Sequence, residues 1–558
     1  MIIRSFVSSK YSLFLILGLF ISLPAFGQEV EEKGRFSGSF QATANWFIKD
    51  SAIGAANTPQ YEDKKYGGEA WLNVNYTKGT LDMGVRFDMF NNSNLLNPTG
   101  AFTAQGIGAW WVHKKLGKIN LSGGYIYDQI GSGIIYRAFE DRPLAIDNAL
   151  YGVRVGYDIN PDWNIKVFAG KVKNQLNLFN PIMKGGQLNG FIKGKEGSDF
   201  SMAPGIGFVN QTLDDETIQN IVASVATYLP SEGIQLYNNN YAYSVFNTLT
   251  WKGVTLYTEG AYKWHDVYRD PFAKLNLWSG EKTIGRFVDN AGTCFLGSLS
   301  WSWSKFGISL ETKRTENFRY RSDPFATGNL AFLNFIPPMA RQNTYRLTAF
   351  YSPVTQELSE QAFQGEITYA LKKNIGLLIN GSYIDDLKGD PLYREIFTEV
   401  TIKKAKKYNI VTGIQYQRYN IDIYLTKPGE PDVNTITPYF DVLWKIDKKK
   451  SLRVEGQFMF TEQDRGNWAF ALVEYGIAPK WFFTVSDMLN LASDNVLLKR
   501  PDLKSLGHFL SGGITYTEKS NRFALNFVKQ VDGIVCSGGV CRYEPAFSGV
   551  RFNILSNF

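Results

Sequence analysis

The 558-residue sequence is 44% hydrophobic and 15% aromatic, with 52 glycines, and its mean hydropathy is negative. A formal charge of +7 is spread without a basic block, so nucleic-acid binding has no footprint, and beyond the leader no run of about eighteen apolar residues exists from which a spanning helix could be built. Three cysteines, two of them close together, suit an oxidising compartment better than a metal framework.

Residues 1–27 hold Arg4 and Lys10, an apolar run from Leu13 to Leu23, and Ala25-Phe26-Gly27 ahead of Gln28. That is the pattern of a cleaved secretory signal peptide, and with no cysteine following it a lipid anchor is not expected. An exported chain that spans a membrane without a helix must close into a barrel. Half of each barrel strand hides from lipid, which keeps mean hydropathy low.

The period-2 pattern of such strands recurs along the chain. Phe40, Ala42, Ala44, Trp46 and Ile48 alternate with Ser39, Gln41, Thr43 and Asn45. Further on, Leu81, Met83, Val85, Phe87 and Met89 alternate with Asp82, Gly84, Arg86 and Asp88, and Leu452, Val454, Gly456, Phe458 and Phe460 with Arg453, Glu455 and Gln457. Short turns stand at Thr77, Lys115, Asn160, Trp251, Lys372, Lys403, Lys445, Ala478 and Thr517. Longer polar loops begin near Lys49, Asn91, Asp128, Val172, His265, Asn317, Asp385, Asn420, Glu462, Leu489 and Val531. Short periplasmic turns facing long outer loops are the barrel asymmetry. Counting up and down leaves a parity clash between Lys313 and Thr344, which a strand over Gly328–Pro337, with PPMARQN as its turn, resolves. Residues 545–558 read as the closing strand ending in Phe558. The expected fold is all-β: one transmembrane antiparallel up-and-down barrel over 28–558, of about 24 strands within a range of roughly 18–24. Trp163, Trp251, Trp444 and Trp481 beside short turns, with Trp46, Trp264 and Trp468 at the other ends, suggest two interfacial girdles.

The densest polar cluster lies in Tyr125–Asn148, with Asp128, Arg137, Glu140, Asp141, Arg142 and Asp147 around Gly131 and Gly133. A glycine-hinged outer loop of this kind can fold into the pore, so these residues, with Arg86 and Arg154 by strand parity, are the candidates for lining a constriction. The bland alternative is that the charges pair and brace a wide barrel. Other residues assigned inward by parity are Lys166, Glu259, Lys263, Glu311, Lys313, Arg346, Glu366, Glu395, Glu399, Arg453, Glu455 and Glu474, nearly balanced in sign.

Three segments, GSGIIYRAFEDRPLAIDNALYGVRV, LNFIPPMARQNTYRL and GQFMFTEQDRGNWAFALVEYGIAPKWFF, resemble an uncharacterised family of Bacteroidota outer-membrane barrels, a likeness running from about Phe36 to Phe558. The resemblance implies fold and location and carries over no activity and no functional residue.

Within Lys173–Tyr241, Ile218, Ile221, Val222, Val225 and Leu229 recur at helical spacing behind Asp214 and Asp215. Such a helix can plug the lumen, cover its mouth, dock a partner or simply stabilise its loop. His113, His265 and His508 have no metal-ligand spacing, and neither GxSxG nor HExxH occurs, so no enzyme, catalytic residue, cofactor or metal is expected. DDLKGD at Asp385 reads as an acidic turn before it reads as a calcium loop. CSGGVC predicts a disulfide between Cys536 and Cys541, with Cys294 unpaired inside a strand. The leading functional reading is a loop-restricted pore for small polar solutes in the outer membrane. The alternative is a structural or assembly component whose filled barrel holds an outer-membrane or periplasmic protein. A barrel this wide needs an occluding element, and with strand one starting by Phe36 there is no room for a separate plug domain, which disfavours a TonB-dependent transporter.

Overall fold

The computed structural model describes residues 33–276, 282–326, 329–355, 358–491, 507–537 and 540–558. The leader reading for 1–27 lies outside them. Its strands are β1 (Arg35–Phe47), β2 (Tyr66–Lys78), β3 (Leu81–Ser93), β4 (Phe102–Leu116), β5 (Ile119–Ile126), β6 (Leu150–Asn160), β7 (Trp163–Asn174), β8 (Asn177–Gly190), β9 (Ser201–Thr212), β10 (Asn239–Trp251), β11 (Val254–Asn276) and β12 (Lys282–Trp303). They continue as β13 (Phe306–Glu316), β14 (Glu360–Lys372), β15 (Ile375–Asp386), β16 (Pro391–Lys404), β17 (Tyr408–Tyr419), β18 (Val433–Lys445), β19 (Lys450–Met459), β20 (Trp468–Ile477), β21 (Trp481–Asn490), β22 (Ser511–Glu518), β23 (Asn521–Gln530) and β24 (Phe547–Asn557). Each pairs antiparallel with its sequence neighbours, and β24 returns to β1 from Ser39↔Asn557 to Phe47↔Gly549, closing a 24-strand barrel. Phe558 adds the last rung: its N–H donates to the Gly38 carbonyl (3.0 Å) and its carbonyl accepts from Gly38 (2.8 Å). A Cβ at Gly38 would stand 2.5 Å from the Phe558 ring, so glycine lets the terminal aromatic lie over β1.

Alternation fixes which face is which. On β10 Val245 is 63% exposed while neighbouring Ser244 is 1% exposed, and on β3 Val85, Phe87 and Met89 stand out while Arg86 and Asp88 are buried. An outward apolar band around a polar interior is the pattern of a barrel solvated by lipid. Trp251, Trp444 and Trp481 are exposed near the short turns and Trp46 and Trp264 near the opposite rim. Trp468, read as a member of that second girdle, is instead fully buried and packs inward on Phe350 (5.5 Å between ring centroids) and Phe509 (5.8 Å).

The count of 24 holds, but two of its strands are not those predicted. Described residues of Gly328–Pro337 and the stretch after Thr344 are not strands: they belong to one loop between β13 and β14. The missing pair lies in Lys173–Tyr241, where β8 and β9 cross the sheet. Pro181 and Pro204 inside these strands, and the Gly185–Gly186 pair, hid their alternation. His265 likewise does not start a loop, since β11 and β12 are 23 and 22 residues long, well over the roughly 9–11 that a bilayer needs.

Helix α1 (Asp215–Val225) forms over most of the 3.6-residue pattern, ending before Leu229, with Asp214 as N-cap accepting from Thr217 N (3.2 Å). Ile221 packs with Leu213, Val267 and Phe287, against the extensions of β11 and β12. The helix therefore braces tall strands at the long-loop rim; the plug is built elsewhere.

Candidate functional site

Two long loops, 127–149 between β5 and β6 and 317–359 between β13 and β14, enter the lumen. Irregular backbone there must be satisfied by something other than a ladder, and wall side chains supply it. Lys263 on β11 donates to the Arg319 carbonyl, Gln211 on β9 to those of Arg321 (3.1 Å) and Ser322 (2.8 Å), and Lys313 on β13 to that of Pro337 (2.9 Å). Gln415 and Gln417 on β17 donate to the Thr348 carbonyl (3.1 and 3.4 Å), and Gln457 on β19 accepts from Leu347 N (2.7 Å). A segment held by side chains from β9 round to β19 crosses the lumen; it does not lie over its mouth.

The loops also bind each other. Arg137 N donates to Leu333 O (2.8 Å), Phe335 N to Gly133 O (3.0 Å), and Asn148 Nδ2 to Phe332 O (2.7 Å). Around these bonds Ile130, Ile134, Ile135, Tyr136, Tyr320, Leu333, Ile336, Leu347 and Tyr351 form a buried cluster. Each such side chain contributes about 1.5–3 kcal/mol as an upper bound, so the plug is a packed core inside the barrel.

The opposite wall holds the 127–149 loop by charge. Arg86, 3% exposed, donates to Asp88 (2.7 and 2.9 Å), Glu140 (2.9 Å), Asp147 (2.5 Å) and the Tyr127 hydroxyl (3.3 Å). Lys173 also pairs with Asp147, and Arg142 joins Glu140 (2.7 Å) to Gln41 on β1 (2.7 Å). Burial alone would raise the Asp147 carboxyl, but Lys173 and Arg86 hold it below the usual aspartate range.

Among the predicted constriction residues, Asp128 clamps Arg154 (3.1 Å) and Lys166 (2.7 Å) to the loop. Arg137 instead lies over the rings of Phe139 (4.8 Å) and Phe335 (4.3 Å), and Asp141 accepts from Leu144 N (3.2 Å) to close a turn. Gly131 and Gly133 take φ of 54° and 102°, which glycine adopts without strain. That bend delivers Ser132 N and Oγ to Glu259 on β11 at 2.9 and 2.5 Å. Six of the eight candidates thus meet in two ion-pair groups, while Arg137 and Asp141 do other work. Lys173 escaped sequence reasoning because it opened what read as an insertion.

The parity list otherwise points inward, save Arg346, which sits in the plug. On β13–β20 it forms an acid-rich wall: Arg341 of the plug meets Glu366 (3.2 Å) and Glu399 (4.0 Å), and Arg453 meets Asp441 (3.0 Å) and Glu455 (2.5 Å). Asp385 pairs with Arg394 (2.5 Å), and Asp386 accepts from Lys388 N and Asp390 N (both 2.8 Å), an acidic turn closing on itself. Cys294 is free and buried in β12. Cys536 and Cys541 stand opposite each other in the hairpin Gly533–Ser537/Val540–Glu544; the Cys536 side chain lies outside the described ones.

Residues 9–558 match the family of unknown function DUF6029. The chain belongs to that family. No curated protein matches it. Solved structures similar to it include the siderophore receptor PirA from Pseudomonas aeruginosa, at 6% identity, TM-score 0.40, with 95% of this chain and 81% of that one covered. Others are the outer membrane transporter YddB from Escherichia coli (7%, 0.39, 94% and 80%) and the P pilus usher PapC translocation pore (8%, 0.39, 94% and 99%). The DUF6029 chain is a large β-barrel that resembles outer-membrane proteins, and at these values the likeness goes no further.

Proposed function

We propose that this DUF6029 chain is an outer-membrane barrel for the passage of small polar solutes, held shut at rest by a plug folded from its own loops. In this reading the short turns face the periplasm, the leader exports the chain, and its source is a Bacteroidota cell. It performs no catalysis and carries no cofactor. One observation carries it: the loop 317–359 is held by wall residues from β9 to β19 without being part of the wall, so it can leave while the barrel stays closed.

Planar bilayers test this. Wild-type protein is expected to be quiet with brief openings, and replacement of residues 318–355 by a short Gly-Ser linker should give large, stable steps. A linker variant as quiet as wild type would end the proposal. A second reading is favoured by the buried apolar cluster inside the lumen: the barrel stays filled and its outer loops hold an outer-membrane or periplasmic protein. That reading expects no openings in wild type under any voltage, while the linker variant conducts.

A further inference from the structure

A cavity of about 200 Å³ lies at the long-loop end between the plug and the outer loops. The plug gives it Arg346, Phe350 and Tyr351, the loop walls Tyr419, Lys427, Asp464 and Arg465, and the last hairpin Asp532 and Tyr543. Almost all its charge is spent locally. Lys427 meets Asp464 (2.7 Å), which also accepts from the Tyr351 hydroxyl (2.9 Å); Arg465 meets Asp532 (2.9 Å), which accepts from the Tyr543 hydroxyl (3.2 Å). Two cations cancel two anions, and Arg346 remains.

Arg346 has no hydrogen bond or ion pair among the described residues. The acid that acts on it, Glu544, already accepts from Gln530 (2.6 Å) and Arg542 (3.5 Å). The side chain is half-buried, it lines the cavity, and burial pulls its pKa down. A half-buried cation that no described residue pairs with still carries part of the cost of desolvation. A fold that keeps one beside a cavity has prepared a place for an anion, and a guanidinium is the side chain best shaped for a planar two-oxygen group. Aromatic rings line the rest, with Tyr351 and Tyr419 5.3 Å apart and Phe350 5.1 Å from Tyr351. Volume sets the size: an apolar cavity of about 150 Å³ holds one benzene ring.

We propose that this cavity binds a small carboxylate with a ring-sized apolar body, its carboxylate on Arg346 and its body among Phe350, Tyr351, Tyr419 and Tyr543. The proposal deepens the transport reading by naming a solute class, but binding in micelles involves no passage, so either can fail alone. The probe is 4-fluorobenzoate, followed by fluorine NMR on the purified full chain in detergent. Saturable binding is expected, weakened at least tenfold in Arg346→Gln, with heat-modifiable gel migration showing that the variant barrel is closed. Neutral 4-fluorobenzamide, tested on wild type, should bind at least tenfold more weakly, a comparison independent of any variant's folding. Inorganic phosphate, an anion without a ring, should fail to displace the benzoate at equal concentration. Absence of saturable binding, unchanged affinity in Arg346→Gln, amide binding as tight as benzoate, or displacement by equimolar phosphate would each overturn the assignment.

Discussion

Arg86, fully buried, and Arg346, half-buried, both lie inside one filled barrel, and they are treated in opposite ways. Arg86 spends its donors on Asp88, Glu140, Asp147 and Tyr127. Arg346 has an open cavity in front of it and a single distracted acid, Glu544, behind. The first arrangement fastens a loop to a wall. The second leaves binding energy unspent, which is how a receptor site differs from a brace even when the residue type is the same. What separates them is the neighbouring carboxylate count, a property of the folded loops.

The largest effect should come from Arg86→Met. Removing one partner of a buried pair strands the others, at a cost of about 3–5 kcal/mol, and the stranded carboxylates Asp88, Glu140 and Asp147 sit at the joint between β3 and the 127–149 loop. Hydrogen exchange over Tyr125–Asn148 should accelerate strongly and openings in planar bilayers should become frequent. Unchanged exchange would mean that the cluster carries no load. Arg346→Met is the counterpart and should go the other way: exchange of the plug around Thr348 stays as it was or slows, because a half-buried charge that no described residue pairs with has been removed. A loss of plug protection comparable to that of Arg86→Met would erase the contrast and make Arg346 a brace.

Acid should sharpen the same contrast. Burial would raise the Asp147 carboxyl, but Lys173 and Arg86 depress it; Asp532 is likewise depressed, burial being outweighed by Arg465. A carboxylate whose folded pKa lies below its free value stabilises docking fully above the free value, about 3.9 for aspartate, and loses that contribution as pH falls through the folded one. Opening frequency should therefore be flat from pH 7 to 5 and climb below about pH 4. In Asp147→Asn that climb should shrink. A climb centred near pH 6 would point to a different group.

Much of this was legible beforehand. The period-2 alternation of Val85, Phe87 and Met89 against Arg86 and Asp88 is enforced by the pleat itself, so it gave the wall and the inward face, whereas the number 24 came out right through a parity strand over Gly328–Pro337 that the fold does not contain. The plug was not legible, for a physical reason. LNFIPPMA, the first half of LNFIPPMARQNTYRL, is mostly apolar because it builds a core inside the lumen, and sequence cannot distinguish an apolar side chain that meets lipid from one that meets another loop. The signal available was indirect. Gln211, Gln415, Gln417 and Gln457 occupy inward positions, and long amides at wall positions anticipate backbone to be satisfied. The Asp128 group was readable as mixed charge on a glycine hinge, but which acid would meet which base depended on a fold-back that no spacing encodes. Arg346 was assigned inward for the wrong reason, by strand parity in a segment that is not a strand.

The smallest effect concerns the rim of the Arg346 cavity. The hairpin Gly533–Ser537/Val540–Glu544 contributes Gly533, Ile534 and Tyr543 to it, and pairs Cys536 with Cys541 in register. Directly opposed residues of an antiparallel pair lie about 4.5–5.5 Å apart at Cα, inside the range that a disulfide spans, and an oxidising exterior would keep it formed. We expect that bridge, and mass spectrometry of the unreduced tryptic digest decides: a peptide with both cysteines alkylated in native protein would end the idea. The closed loop is so small that its stabilisation should fall below the roughly 3 kcal/mol of a fifteen-residue one, and β23 and β24 are held by their own ladder. Reduction should therefore leave heat-modifiable migration and exchange around Arg86 untouched. It loosens the hairpin whose second strand carries Tyr543, so benzoate affinity should fall by a few-fold, well short of the loss in Arg346→Gln. A fall as large as that of Arg346→Gln would mean that the hairpin, and not the guanidinium, holds the ligand.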